Sequence, residues 1–539
     1  MSFYRYYFFI ILLAFAQQLQ GQSVIRCAHD LPATISPAQR NNTKIYQRST
    51  PIPNWHSSAR RSATSPIILP VVIHVIHSGI PIGTGENLPY EQLVSQVHVL
   101  NQDFNGFNAD TEKTPDVFKD VVIPAEEIIN FKLSPVDPIG NVLPEAGINR
   151  VNLNNSEGWD IGDLPNLMAQ TQWDPYRFLN IWIVKFRRDD LLGLGYFPVS
   201  NQIEGLGINE GNYSKGTDNY DGIVIDYKVF GDNRQSRSFE LRTPFNWGRT
   251  TTHEVGHYLG LLHPWGEIES CQKDDFVLDT PLIGKSHGDI GVNTSCVFPG
   301  PEACEEDPFY DYAMFQNFMD YPADSCMYLF TKQQQERMLD VLSLAPRRNT
   351  LNMDAPSVSL NGQAVGIGDN VRLSWNRYQG DEQQEGNAVY VVERSFNNFN
   401  FETIAIIDDL SQTSLEDEIP AISQQYYFYR IYVANAKGFS SPSNLLNTDG
   451  NTISSVAPEE VTPLKIYPNP TRNQLSVTVP LIGEPYTLRI FDLYGRVLIE
   501  KRYLGSASQT IDTTSLTAGP YVLQVQSEGQ RWVERFLKQ

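Results

Sequence analysis

The stretch "HEVGHYLGLLH", His253 to His263, holds three histidines at intervals of four and six. On a helix, residues four apart lie about 40° apart in azimuth and one turn apart in height. His253 and His257 therefore present two imidazoles on one face, spaced for one metal ion. Neutral imidazole is a good Zn²⁺ ligand at about 2.0–2.1 Å. Glu254 projects about 100° round from His253, beside the ion, where a base can take a proton from water. On a continued helix His263 would lie about 15 Å further along the axis, so the chain must turn back. Gly260 accepts a positive φ without Cβ strain and allows that turn. His263 then becomes the third ligand, and the fourth position stays open, as in a catalytic zinc site.

The plain alternative is a set of satisfied core histidines on an amphipathic helix. It accounts easily for one histidine. It does not account for three with this glutamate and glycine, following the acidic, strand-like "DGIVIDY" (Asp221 to Tyr227).

Outward from this helix the patterning is mixed α/β. "IILPVVIHVIH" (Ile67 to His77) reads as a buried strand, and "FLNIWIVKF" and "DGIVIDYKVF" as further strands. "PYEQLVSQVHVLNQDF" has helical spacing, with Leu93, Val97 and Leu100 on one face. "TKQQQERMLDVL" is a helix opened by Thr331. From Ala355 the texture becomes all-β, in short alternating runs separated by turns, such as "NVRLSW", "AVYVVERS" and "YYFYRIYVAN". A linker follows, and the end of the chain, "LKIYPNPTRNQLSV" to "WVERFLKQ", reads as another compact β-sandwich.

The bulk numbers fit this division. A chain of 539 residues is too long for one core and suggests about three or four domains. The 37 Gly, 34 Pro and 26 Tyr favour β-rich, loop-rich modules. A net charge of −21 argues against a nucleic-acid partner, since phosphate would be repelled. Arg5, the apolar "YYFFIILLAFA" and the polar "QQLQGQS" read as a signal peptide cleaved near Gly21. The apolar run is too short to span a bilayer, and no later segment is apolar enough to do so. Export makes disulfides possible. Cys271, Cys296, Cys304 and Cys326 cluster, and four cysteines pair in three ways. Cys27 stands apart in a polar, irregular stretch that ends in the dibasic Arg60-Arg61.

The histidine pattern resembles the metzincin signature, a class with a methionine-containing turn beneath the metal. Met319 in "NFMDY" supplies that turn. With Tyr321, "CQKDDFVLDTP" and the clustered cysteines, the block from Ser62 onward resembles the pappalysins, also called cytophagalysins. The resemblance implies an endopeptidase in which His253, His257 and His263 hold zinc. Glu254 deprotonates the attacking water and then protonates the leaving amine, and Tyr321 hydrogen-bonds the oxyanion or swings aside. It further implies Ca²⁺ held by the side chains of Asp275 and Thr280 and the carbonyls of Lys273 and Leu278. The implied disulfides are Cys271–Cys304 and Cys296–Cys326. Members often prefer Arg or Lys beside the scissile bond, and Asp324 is the candidate acidic residue for such a side chain. "RCAHD" resembles a cysteine switch, with the Cys27 thiolate filling the open zinc position until a cut near Arg61-Ser62. A stray thiol and a solvated acidic loop are the plain alternatives for Cys27 and for the calcium loop.

Residues 355–448 resemble a fibronectin type III domain, with Trp375 as the core tryptophan and Tyr426 or its neighbours as the late-strand tyrosine. The C-terminal segment resembles the sorting domain of the type IX secretion pathway. Pro468-Asn469-Pro470, Gly495, Leu516, Gly519, Tyr521 and Lys538 carry that resemblance. It implies the type IX machinery as a partner, and release outside the cell or attachment to its surface.

The chain thus reads as a multidomain α+β protein. Residues 1–21 are a signal peptide and 22–61 a propeptide. Residues 62–350 are a metzincin-like α/β metalloprotease domain, and 355–448 a fibronectin type III-like β-sandwich. Residues 449–462 are a linker and 463–539 a C-terminal β-sandwich sorting domain. The expected function is a secreted zinc endopeptidase acting on proteins or peptides and made as a latent proenzyme. The rival from another class is a surface adhesion protein with an inactive protease-like block; intact Glu254 and three intact histidines argue against it. A zinc hydrolase acting on something other than peptides fits the metzincin layout poorly.

Overall fold

The computed structural model describes residues 25–27 and, with short internal breaks, residues 66–447 and 464–539. The signal peptide, most of the propeptide, the Arg60-Arg61-Ser62 junction, Tyr426, the linker and Gly495 lie outside the described residues.

The N-terminal part is built on a seven-stranded sheet. Its strands are β1 (Ile25–Cys27), β2 (Ile67–His77), β3 (Ile129–Leu133), β4 (Ile148–Asn152), β5 (Leu179–Val184), β6 (Leu191–Gly195) and β7 (Ile223–Asp226), in the order β1-β6-β7-β5-β2-β3, with β4 also on β2. β2 has nine buried residues in a row between half-buried ends. Such a run suits a parallel strand covered on both faces. β6 alone runs antiparallel to its neighbour β7. Its free side is taken by β1, which lies parallel to it with Cys27 opposite Gly193. The sequence read residues 22–61 as irregular; the three residues 25–27 are instead a strand. The physical reason is the unpaired row of N–H and C=O groups that an edge strand offers.

Helices α1 (Tyr90–Asp103), α2 (Leu164–Thr171), α3 (Arg249–Tyr258) and α4 (Lys332–Leu344) flank the sheet. Leu93, Val97 and Leu100 of α1 join the main core with Val255 of α3 and Met338 of α4. Thr331 caps α4 in a reciprocal capping box with Gln334. All ten residues of α3 are buried, Arg249 included. Arg249 Nε lies 3.1 Å from Asp103 Oδ2. Burial pushes the Asp103 carboxyl up to about 6, although Arg249 and Arg234 pull against that.

The middle part has two sheets. One is β11-β10-β13-β14 with β15 on β13, and the other is β12-β9-β8. The strands are β8 (Gly362–Ile367), β9 (Asn370–Trp375), β10 (Val389–Ser395), β11 (Glu402–Ile407), β12 (Ser414–Glu418), β13 (Phe428–Asn435), β14 (Gly438–Phe439) and β15 (Leu446–Asn447). Trp375 lies in the core between them, edge-on to Tyr390 at 5.4 Å. The C-terminal part is a second all-β unit with its own core. Its sheets are β16-β17-β20 and β19-β18-β21-β22, formed by β16 (Lys465–Tyr467), β17 (Gln474–Thr478), β18 (Pro485–Phe491), β19 (Val497–Leu504), β20 (Ser508–Asp512), β21 (Gly519–Ser527) and β22 (Gln530–Lys538). Among the described residues no helix is long and apolar enough to cross a membrane.

Candidate active site

Helix α3 ends at Tyr258, and Gly260 follows with φ +83°. That left-handed turn reverses the chain and brings His263 back over the helix. The three Nε2 atoms converge: His253 to His257 3.1 Å, His257 to His263 3.1 Å, His253 to His263 3.2 Å. Nitrogens bound to one tetrahedral zinc at 2.0–2.1 Å stand about 3.3 Å apart, so the triangle fits that ion. The opposite ring nitrogens face outward acceptors. His253 Nδ1 is 2.8 Å from the Phe318 carbonyl, His257 Nδ1 2.8 Å from the Leu261 carbonyl, and His263 Nδ1 2.9 Å from Glu267 Oε2. Each acceptor calls for a proton on Nδ1, leaving the Nε2 lone pair to the centre. The His263 ring also stacks on Trp265, centroids 4.6 Å apart and 4° from parallel.

Cys27 belongs to this cluster. Its Sγ and the three histidine nitrogens all lie within 4.8 Å of one another. It also lies 3.5 Å from Glu254 Oε2. Met319 is fully buried beneath the helix, and Tyr321 Oη stands 2.8 Å from His263 Nε2. The residue before Cys27 is equally enclosed. Arg26 is 2% exposed. It pairs with Asp324 through Nη2 at 2.7 Å, donates from Nη1 to the Pro322 carbonyl, and lies over the Phe245 ring at 5.3 Å. Asp324 is itself fully buried, and its other oxygen accepts from the Trp247 and Arg249 amides at 2.9 and 3.2 Å.

The cysteine-rich section is stapled by Cys271–Cys304 and Cys296–Cys326. In the same section Asp275 and Thr280 meet, Oγ1 donating to Oδ2 at 2.7 Å. Lys273 and Leu278 lie in that loop; the Leu278 amide donates to Gln333 at 3.0 Å.

Several contributors escaped the sequence reading. Glu267, which fixes His263, is one. Three glycines are others. A Cβ on Gly256 would come within 2.4 Å of Met319 Sδ, one on Gly193 within 2.9 Å of Glu254, and one on Gly195 within 2.5 Å of the Glu254 carbonyl. Helix α3 can approach β6 and the methionine only because these side chains are absent. The "LLGLG" of β6 was the available signal. His287 is a fifth omission: its ring lies between Asp320, the residue before Tyr321, at 2.6 Å and Glu302 at 3.0 Å.

Residues 239–343 match the family described as pregnancy-associated plasma protein-A, and residues 465–539 match the secretion system C-terminal sorting domain. An extracellular metalloprotease of Arthroderma gypseum is 30% identical over 289 residues, covering 53% of this chain and 75% of its own. One from Arthroderma otae is 26% identical over 282 residues, covering 52% and 79%. Among solved structures, mature mirolysin of Tannerella forsythia in complex with a cleaved peptide is 33% identical. It covers 53% of this chain and 96% of its own, with a TM-score of 0.43.

Proposed function

The chain belongs to the pappalysin family of extracellular metalloproteases, and on that premise we propose that it is held latent by Arg26 and Cys27 and cuts proteins beside arginine or lysine. The C-terminal sorting domain makes it a secreted or cell-surface protein. The family implies zinc, and the converging Nε2 atoms of His253, His257 and His263 are the residues that would hold it. When bound, that ion supplies the positive charge that acidifies a water and polarises the scissile carbonyl. The chain's own residues do the rest. Glu254 takes the proton from the attacking water and returns it to the departing nitrogen. The Tyr321 hydroxyl, beside His263, hydrogen-bonds the developing oxyanion. Met319 and Gly260 set the floor and the turn of the site.

The observation that carries the specificity is the buried Arg26–Asp324 pair. Arg26, the residue before Cys27, already occupies the buried carboxylate of Asp324. A substrate arginine, with the same forked guanidinium, finds the same acceptors once Arg26 leaves. The Cys27 sulfur among the three imidazoles supports latency, because a thiolate there takes the position that water needs. Calcium is proposed for the loop of Lys273, Asp275, Leu278 and Thr280, supported by the burial of Asp275 and Thr280 and by their oxygen-rich chemistry. Residues 355–448 are assigned to the fibronectin type III type, supported by the two facing sheets around Trp375.

The test is cleavage of a mixed peptide library by the protein lacking residues 1–61, beside its Glu254→Ala variant, with and without a zinc chelator. The expected result is cutting next to Arg and Lys, lost in the variant and with chelator. A folded, zinc-loaded parent that cuts nothing would return the chain to the adhesion class.

A further inference from the structure

Strands β10 and β13 are not half-buried strands. All eight residues of β13 are buried, as are six of the seven of β10. Neighbouring side chains on a strand point to opposite faces, so both faces are covered. Tyr390, Val392, Tyr429 and Ile431 point inward to the sandwich core. Val389, Val391, Tyr432 and Ala434 point the other way, and they form one cluster with Ile68 and Val136 of the N-terminal part.

Charges are buried at the same junction. Lys132 Nζ, on the edge strand β3, lies 2.6 Å from Glu393 Oε1 of β10, both under a tenth exposed. The ammonium also sits 4.2 Å from the Tyr432 ring centre. Arg430 of β13 meets Glu127 with two parallel contacts at 3.0 Å. Asn352, just after the protease block, brackets the backbone of Phe439 through both side-chain atoms. Apolar burial, one buried ion pair and a second whose arginine is buried describe a permanent interface, not a tether between independent modules.

We propose that residues 355–447 are an intramolecular partner of the protease domain, held by this face and retained in the mature enzyme, so that the working unit ends near residue 447 and not near 350. The inference rests on the division of the chain near residue 353 and does not depend on its peptidase activity.

The test uses the full chain with a site for a sequence-specific protease inserted after Met353, which is 67% exposed. After the cut, the two fragments should co-elute on size-exclusion chromatography without denaturant. Glu393→Lys combined with Arg430→Glu should weaken their association on the order of a hundredfold or more, since each sets like charges against each other across the junction. The exchanged pairs Lys132→Glu with Glu393→Lys and Glu127→Arg with Arg430→Glu should restore co-elution. Circular dichroism of each uncut variant establishes that it is folded. Separation of the parent fragments overturns the proposal. So does co-elution of the unpaired variant, because the C-terminal domain would then be holding the halves together. If the unpaired variant is unfolded before the cut, the four-residue exchange decides: co-elution supports the interface and separation overturns it.

Discussion

Arg26 and Asp324 lie 298 residues apart in sequence and 2.7 Å apart in space, both out of solvent. Under the proposed specificity, the same buried carboxylate would receive a substrate arginine once Arg26 has left. Asp324→Asn keeps the size of the side chain and one acceptor for the amides of Trp247 and Arg249. It should lower kcat/KM on arginine peptides by about 30-fold to several thousandfold, the about 2–5 kcal/mol cost of unpairing a buried charge. Norleucine peptides should be affected little. Equal losses on both would show that Asp324 is only structural.

Cys27→Ser should release activity before any N-terminal processing. The hydroxyl is a far weaker zinc ligand than a thiolate, so the unprocessed chain should hydrolyse a fluorogenic arginine peptide at least about tenfold faster than the unprocessed parent. Mass spectrometry at the time of assay must find the N-terminus uncut. Equal initial rates in the two intact chains would leave Cys27 with no part in latency.

Glu267→Gln tests how the third histidine is held. Glu267 accepts from the His263 amide at 2.7 Å and faces its Nδ1 at 2.9 Å. Losing the carboxylate should weaken zinc affinity by about 10–100-fold, read by competition with a chromogenic chelator. Activity at saturating zinc should fall much less than affinity does.

His287 gives a pH signature. Burial alone would lower its pKa, but Asp320 and Glu302 outweigh it and raise the value from 6.5 to about 9. A raised folded-state value means the stabilisation is complete below about pH 6.5, where the unfolded chain is also protonated. It is lost as pH rises through about 9. The parent Tm should therefore fall more steeply than that of His287→Gln between pH 7.5 and 9.5. Parallel slopes would show that the His287 charge contributes nothing to stability.

The part of the site that lies on one helix was legible in the sequence. Fourfold spacing puts His253 and His257 on one face in any context, and Gly260 announces the turn that returns His263. What escaped depends on chain segments that only the fold brings together. No local pattern links Arg26 to Asp324, or tells that Gly193 and Gly195 are small to make room for Glu254. What covers the outer face of the middle domain was hidden for another reason. "VYVVERS" and "FYRIYVAN" read as alternating runs, but they are nearly continuous, and continuity signals a strand covered on both sides. The second cover was a different domain, invisible to a local reading.

The parallel addition of Ile25–Cys27 to β6 has a consequence for what the enzyme can digest. Once that segment leaves, β6 offers its hydrogen-bonding groups to any chain able to lie flat against it. A helix has already spent its own amide and carbonyl groups internally and cannot do so. Selection by shape should thus precede selection by side chain: under the proposed specificity, an arginine within a stable helix should resist cleavage until that helix melts, and loops, tails and proteins already coming apart should be cut first.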